Sequence, residues 1–391
     1  MTQSTIHLDY QRGVYAAGLD DVAPALPFSH DELERRAREL IGPRLYSWVG
    51  GGAGAGETLR ANREGFGAWR IVPRMLRDVS QRELGVEICG MRLDSPLLLA
   101  PIGVHTILHP DGELAVARAA ARTGVPMVAS TPSAFTLEAI AAEMGDARRW
   151  FQFYWPNDRE LAASLLRRAE DAGYSAIVVT LDTFMLGWRP TDLTAAYMPF
   201  LRGIGIANYL ADPVFRSQLA VPPEEDLSGA VQHWTRCYSD PSLTWDDLTF
   251  LREHTRLPIV LKGILHPDDA RAAADRGIDA IVVSNHGGRQ VDGATGAIAA
   301  LPAVVDAVPD GYPVLFDSGI RTGADVVKAL ALGARAVLVG RPYMWGLALG
   351  GEHGVAQVVQ GLLAELELTM ALSGCATVPD ITPTLLRRAA G

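Results

Sequence analysis

The sequence predicts an α/β protein built as a closed barrel of eight parallel strands, each followed by a helix. Three observations predict it. Short apolar runs alternate with amphipathic, Ala/Arg-rich stretches from about residue 97 onward. The alternation occurs eight times, and most of the apolar runs end in glycine or polar residues. Apolar runs bounded in this way read as strands buried on both faces. Their repetition with helices favours a (β/α)8 or TIM barrel, with an open doubly wound sheet as the fallback.

Ahead of the barrel, residues 1–90 read as an N-terminal helical segment that caps it. A helical pattern over 31–48 leads into a glycine-rich link at 50–56. That link is read as a flexible turn out of a helix. A nucleotide loop is disfavoured, because no Gly-Lys-Ser/Thr follows and a helical pattern precedes it. The barrel takes residues 91–391, with strands expected at 96–100, 126–130, 150–155, 176–182, 258–262, 280–286, 313–317 and 336–340. Stretches 113–122, 159–172, 267–276 and 323–332 carry helical periodicity between them. One connection breaks the rhythm. Residues from about 190 to 257 exceed any ordinary βα loop and carry Pro, Gly and aromatic punctuation, so they read as a lid over the barrel mouth.

Composition narrows the class. A hydrophobic fraction of 48% over 391 residues suits a large packed core. A net charge of −10 lacks the basic face that phosphate backbones require, so no nucleic-acid partner is expected. Cys89, Cys237 and Cys375 are scattered and odd in number, which argues against a disulfide framework and for a reducing, cytoplasmic setting. The N-terminus shows no secretory pattern, and no apolar run approaches the ~20 residues of a bilayer span. No membrane partner and no metal are expected.

In barrels of this kind chemistry sits at the carboxyl ends of the strands. Reading those ends in order gives Pro101, Ile102 and Gly103, then Ser130, then Gln152 and Tyr154. The fourth strand leads to Thr180, Asp182 and Arg189; the fifth ends at Lys262; the sixth leads to Ser284, His286 and Arg289. Asp317, Gly319 and Arg321 follow the seventh, and Gly340 and Arg341 the eighth. Each alone has a plain structural reading, as half an ion pair or a core edge. Together, so many polar groups at one end of a barrel cost stability unless they share a task. The glycine turns and arginines after the last two strands have the residue types of a phosphate site. Ser130, Gln152 and Thr180 offer neutral hydrogen bonds to a planar heterocycle, with the charge of Lys262 beside it. This chemistry favours a flavin mononucleotide and leaves a sugar phosphate open.

The strings SNHGGRQVDG, DSGIRTGADVVKALALGARAVLVGRP and LTMALSG, preceded by FQFY and TLDT, extend the reading. With them the chain resembles the FMN-dependent 2-hydroxy acid oxidase and dehydrogenase family over nearly its whole length. Within that family it is most similar to the lactate 2-monooxygenase branch, through Gly187-Trp188-Arg189-Pro190, Pro199-Phe200-Leu201-Arg202-Gly203 and the long loop that carries the latter.

The resemblance implies FMN as cofactor, His286 as active-site base with Asp182 bonded to it, and Arg189 and Arg289 clamping a substrate carboxylate. It implies Lys262 beside the flavin, Tyr154 on the substrate, and Ser130, Gln152, Thr180 and Ser284 around the ring. Asp317, Gly319, Arg321, Gly340 and Arg341 would hold the ribityl phosphate end. It further implies a small (S)-2-hydroxy acid, lactate-like, oxidised with O2, and a homo-oligomer, tetramer or octamer. Oxidative decarboxylation follows if product and peroxide are retained. Release of the 2-oxo acid and H2O2, from a mandelate- or glycolate-like acid, is the alternative. A non-redox phosphate-site isomerase or lyase and a flavin-binding protein without activity are the other readings. Two positions depart from the family pattern: Trp48, where a tyrosine normally reaches the substrate carboxylate, and Pro132, where many relatives carry tryptophan.

Overall fold

Short runs of Val, Ile, Leu and Ala pair side by side in parallel and close on themselves into a barrel. In the computed structural model, which describes residues 6–389, the barrel strands are β1 Leu97–Leu99, β2 Met127–Ser130, β3 Arg149–Phe153 and β4 Ile177–Thr180. They continue as β5 Ile259–Ile264, β6 Ala280–Val283, β7 Val314–Phe316 and β8 Ala336–Val339. Each strand pairs with its chain neighbour, and β8 returns to β1 through Val337–Leu97, Leu338–Leu98 and Val339–Leu99. The barrel class expected from the sequence is the observed one.

The period of two along each strand divides the core. Leu98, Val128, Trp150, Val178, Val260, Val282 and Leu315 point into the barrel, while alternate residues such as Leu97, Phe151, Ile177 and Ile281 meet the outer helices. A hairpin of Val86–Ile88 and Met91–Leu93 joins the interior set and stoppers the amino end. Cys89 at its tip bonds the Asp279 carbonyl just before β6. The carboxyl end is therefore the open one.

Strand ends differ from the sequence reading where function begins. β4 stops at Thr180 and β6 at Val283, so Asp182 and His286 lie on turns beyond them. His286 has φ of 57° and Gly287 of 66°, a left-handed pair that no extended strand can contain. β5 instead runs two residues past Lys262, with a register shift between Lys262 and Ile264.

After a first helix, Ile6–Ala17, a longer helix spans His30–Gly50 and is broken at Gly42, before Pro43, whose missing N–H cannot continue the ladder. The glycine link beyond it is not a flexible turn. Ala53 N donates to the Gly288 carbonyl and Gly54 N to that of Trp188, both at 2.9 Å. The Asp292 carboxylate accepts from Ala55 N at 2.6 Å and Thr58 N at 3.1 Å. The link is thus sewn to the loop after β6.

The stretch 190–257 is folded rather than structureless. Helices Pro190–Thr194, Ala207–Leu210, Pro213–Ser217, Leu227–Cys237 and Leu248–His254 occupy nearly half of it. Asp212 caps the third of these by accepting from Val214 N at 2.9 Å. Tyr209, Phe215 and Trp234 are buried beneath it.

One helix, Arg341–Leu372, is long and apolar enough to cross a membrane by length and composition, which corrects the expectation that no segment would be. Its apolar residues are used inside the protein instead: Trp345, Leu347, Val355, Val359, Leu363 and Met370 are buried, and Gly350–Gly351 break its axis.

Candidate functional site

The turn after β6 aims one imidazole at the barrel mouth. His286 Nδ1 lies 2.8 Å from Asp182 Oδ1 and 3.0 Å from Thr183 Oγ1, while Thr183 Oγ1 donates to the same carboxylate oxygen at 2.9 Å. An ionised carboxylate only accepts, so Nδ1 carries the hydrogen and Nε2 is left bare as an acceptor. Burial would raise the Asp182 pKa, yet the charges of His286 and Lys262 bring it to about 2. Burial depresses the His286 pKa below the ordinary histidine value, with Asp182 opposing and Lys262 and Arg189 assisting. The resting pair is a neutral imidazole held by an anion.

Two arginines stand beside it. Arg189, buried at the start of the long insertion, donates through Nε to the Arg289 carbonyl at 3.0 Å and through Nη2 to Gln290 Oε1 at 2.7 Å. Arg289 Nη1 donates to the Gly51 carbonyl at 2.9 Å, and its Nη2 is 3.5 Å from Asp192. Burial lowers the Arg189 pKa, and burial followed by the charge of Arg189 takes that of Arg289 well below its ordinary value. Arginine does not give up its proton, so two buried forks this close constitute a demand for an anion.

Trp48 closes the same corner. Arg289 sits over its ring at 5.9 Å, and Phe200 meets it edge-on at 5.5 Å. Its indole N–H has no hydrogen-bond acceptor among the described residues. It can therefore donate one hydrogen bond, without being able to accept.

Lys262 on β5 is buried between Ser284 Oγ at 3.0 Å and Asp317 Oδ2 at 3.2 Å. Burial alone would lower its pKa, but Asp317 and Asp182 outweigh that and raise it, so the ammonium is retained. Asp317 also accepts from Ser318 Oγ at 2.7 Å. The aspartate assigned to a ribityl chain from sequence is thus also the lysine's counter-ion.

These groups surround a cavity of about 350 Å3. Pro101, Ile102, Gly103, Ser130, Tyr154, Arg189, Lys262, His286 and Arg289 line it, together with Asp317, Gly319, Arg321, Gly340 and Arg341. Tyr154 is kept protonated, its pKa raised by burial and by Asp182. Gln152, Thr180, Asp182 and Ser284 are not among the residues that line the cavity. Thr180 and Asp182 border a second cavity, which shares Tyr154 and Thr183 with the first.

The residues present fit a flavin mononucleotide. Gln152 Oε1 already accepts from Ser130 Oγ at 2.9 Å, while Gln152 Nε2 and Thr180 Oγ1 are buried without partners, as donors awaiting a ring edge would be. At the other end, Gly340 precedes the Arg341–Leu372 helix with no side-chain cap, although Pro342 has no N–H and Tyr343 N already donates to the Gly340 carbonyl at 3.2 Å. A Cβ at Gly340 would touch nothing nearer than 3.4 Å, so that space is open for a ligand. Burial with the charges of Arg341 and Arg63 pushes the Arg321 pKa to about 9. Glu34 and Asp325 oppose that shift without cancelling it.

Several participants escaped sequence reasoning. Thr183 and Gln290 adjoin residues that were singled out, and that adjacency was a usable signal. Asp192, Met198, Trp234 and Tyr238 come from the insertion, and no local pattern marked them; Phe200, also from the insertion, was marked only as part of the string 199–203.

Comparison with known proteins agrees with this geometry. Residues 37–388 match the family described as FMN-dependent dehydrogenase. The FMN-dependent alpha-hydroxy acid dehydrogenase qulF of Penicillium citrinum is 46% identical over 383 residues, spanning 97% of this chain and 95% of its own. An L-lactate oxidase of Lysinibacillus sphaericus is 42% identical, spanning 92% and 93%. The crystal structure of mandelate oxidase with (S)-4-hydroxymandelic acid superposes with a TM-score of 0.83 at 42% identity, covering 93% of this chain and 99% of that one.

Proposed function

The chain belongs to the FMN-dependent dehydrogenase family, an FMN-dependent 2-hydroxy acid oxidoreductase, and from that premise we propose that it oxidises an (S)-2-hydroxy acid to the 2-oxo acid with O2 as electron acceptor. One observation carries the proposal: a carboxylate-held imidazole and two buried guanidinium forks line one cavity together with Gly319, Arg321, Gly340 and Arg341, the residue types of a phosphate site.

Arg189 and Arg289 take the substrate carboxylate, with the Trp48 indole N–H as a third donor. The clamp presents the 2-hydroxyl to the bare Nε2 of His286, which removes its proton while Asp182 stabilises the imidazolium that forms. Tyr154 donates to the substrate oxygen as it becomes a carbonyl. FMN, when bound, would supply the two-electron acceptor for the bonding pair of the substrate's α-C–H bond, which breaks as the carbonyl forms. Ser130, Gln152, Thr180 and Ser284 would hold its ring, and Lys262 would stabilise negative charge gained there. Gly319, Arg321, Gly340 and Arg341 would hold the phosphate.

Enclosure favours a second outcome on the same chemistry. Met198, Phe200, Leu201 and Trp234 from the folded insertion line the cavity. A covered chamber supports retention of a lactate-derived oxo acid with peroxide, and hence oxidative decarboxylation to acetate, CO2 and water. Aerobic turnover of lactate, glycolate and mandelate, with O2 uptake and products measured together, tests both. Acetate and CO2 mean retention, pyruvate and H2O2 mean release, and no O2 uptake with any acid contradicts the proposal. The family resemblance also puts the chain in a tetramer or octamer, which light scattering on the purified protein tests.

A further inference from the structure

Arg341 was assigned to the phosphate end, yet all three of its guanidinium nitrogens are engaged elsewhere. Nε donates to the Val49 carbonyl at 2.9 Å, Nη1 to Gly287 at 3.1 Å and Nη2 to Gly51 at 3.0 Å. Val49 and Gly51 closely follow Trp48 in the chain, and Gly287 follows the base His286. The Gly51 carbonyl is the junction, because its other lone pair accepts from Arg289 Nη1 at 2.9 Å. One backbone oxygen therefore joins an arginine of the phosphate end to an arginine of the carboxylate clamp.

The junction is built tightly. A Cβ at Gly51 would overlap the Ser47 carbonyl and lie 2.6 Å from Thr191 Oγ1, so only glycine places its carbonyl there. The neighbouring link is sewn to the loop after β6 by the Ala53 bond and to the loop after β4 by the Gly54 bond. Arg341 is only 8% exposed, and its charge is among those that depress the Arg289 pKa. A shared acceptor between two buried like charges holds both forks at fixed spacing.

Building on the proposed reading of the site, we propose that Arg341 is a positioning residue for the substrate end: through the Gly51 carbonyl it sets the Arg289 fork and the Trp48 segment, and it fixes the His286 turn through Gly287. A residue serving the phosphate alone would change FMN affinity and nothing else. A residue serving as this brace changes carboxylate binding even when FMN is saturating.

The test titrates oxalate, as a non-reacting carboxylate, into FMN-saturated protein and reads the perturbation of the visible flavin spectrum. Arg341→Lys keeps the charge and loses the fork; oxalate is expected to bind about tenfold more weakly or worse at saturating FMN, as the loss of a charge-assisted bond implies. Gly51→Ala, which leaves Arg341 intact, is expected to weaken oxalate in the same direction while FMN affinity stays within about threefold. If Arg341→Lys fails to retain FMN, the Gly51→Ala titration alone decides. Native oxalate affinity in both variants, or in Gly51→Ala alone when the lysine variant cannot be loaded, overturns the coupling. Failure of the native protein to bind any carboxylate overturns the reading of the clamp on which the coupling rests.

Discussion

Replacing Asp182 with Asn removes one charge beside His286 while keeping the side chain's shape. The pair meets at 2.8 Å, and Thr183 bonds both partners, so the ring should stay in place. With charge centres roughly 4 Å apart and an effective dielectric of about 20, imidazolium and carboxylate attract by about 4 kcal/mol. The amide keeps part of this as a neutral hydrogen bond, leaving about 3 kcal/mol of lost stabilisation as the proton is taken. That corresponds to roughly 100-fold in rate. Asp182 also raises the His286 pKa against burial, so its removal moves that pKa further below the ordinary value. The active form is neutral imidazole, present above the pKa and lost as pH falls through it; the acid limb of kcat/KM therefore shifts to lower pH. Anaerobic stopped-flow bleaching with saturating hydroxy acid, repeated across pH, measures both effects, with oxalate affinity as control. Bleaching within about threefold of native, or an acid limb that moves upward, would refute the reasoning.

In the native protein the depressed His286 pKa predicts a kcat/KM plateau that persists below the ordinary histidine range before it falls on the acid side; a pH profile that already declines above neutrality contradicts it. Trp48→Tyr returns a hydroxyl able to accept as well as donate, and is expected to change KM by roughly three- to tenfold with little change in bleaching at saturation. Lys262→Met leaves Asp317 buried without its counter-ion, 3.2 Å from the lost ammonium, and should cost about 3–5 kcal/mol in urea unfolding besides slowing bleaching. Trp150, fully buried inside the barrel, gives a contrast: Trp150→Ala should lose about 3–5 kcal/mol of stability while the folded fraction still binds FMN.

The barrel was legible because its strands are apolar on both faces, a pattern that needs no knowledge of neighbours. The strand-end rule then found most of the site, because β4, β5 and β6 deliver Asp182, Lys262 and His286 to one rim. Strand boundaries were less legible. Nothing in the run through Val283 announces that the chain turns left-handed at His286, since that backbone is imposed by packing against the Asp182 turn and the N-terminal link. The glycine link looked flexible because its partners, Gly288 and Asp292, lie more than two hundred residues away. The helices of the insertion are short, and helices of a single turn or two form only when buried faces hold them. Arg341 was misjudged in emphasis for a different reason: its partners are backbone carbonyls, which carry no residue identity to read.

The central claim is that His286 takes a proton from a clamped 2-hydroxy acid as FMN gains two electrons. Anaerobic mixing of FMN-loaded native protein and His286→Gln with lactate, glycolate and mandelate measures it most directly. The account predicts that at least one acid discharges the yellow colour of the native protein, while the variant holds FMN and stays yellow. Equal bleaching by the two proteins, or a native protein that no acid bleaches, would contradict it.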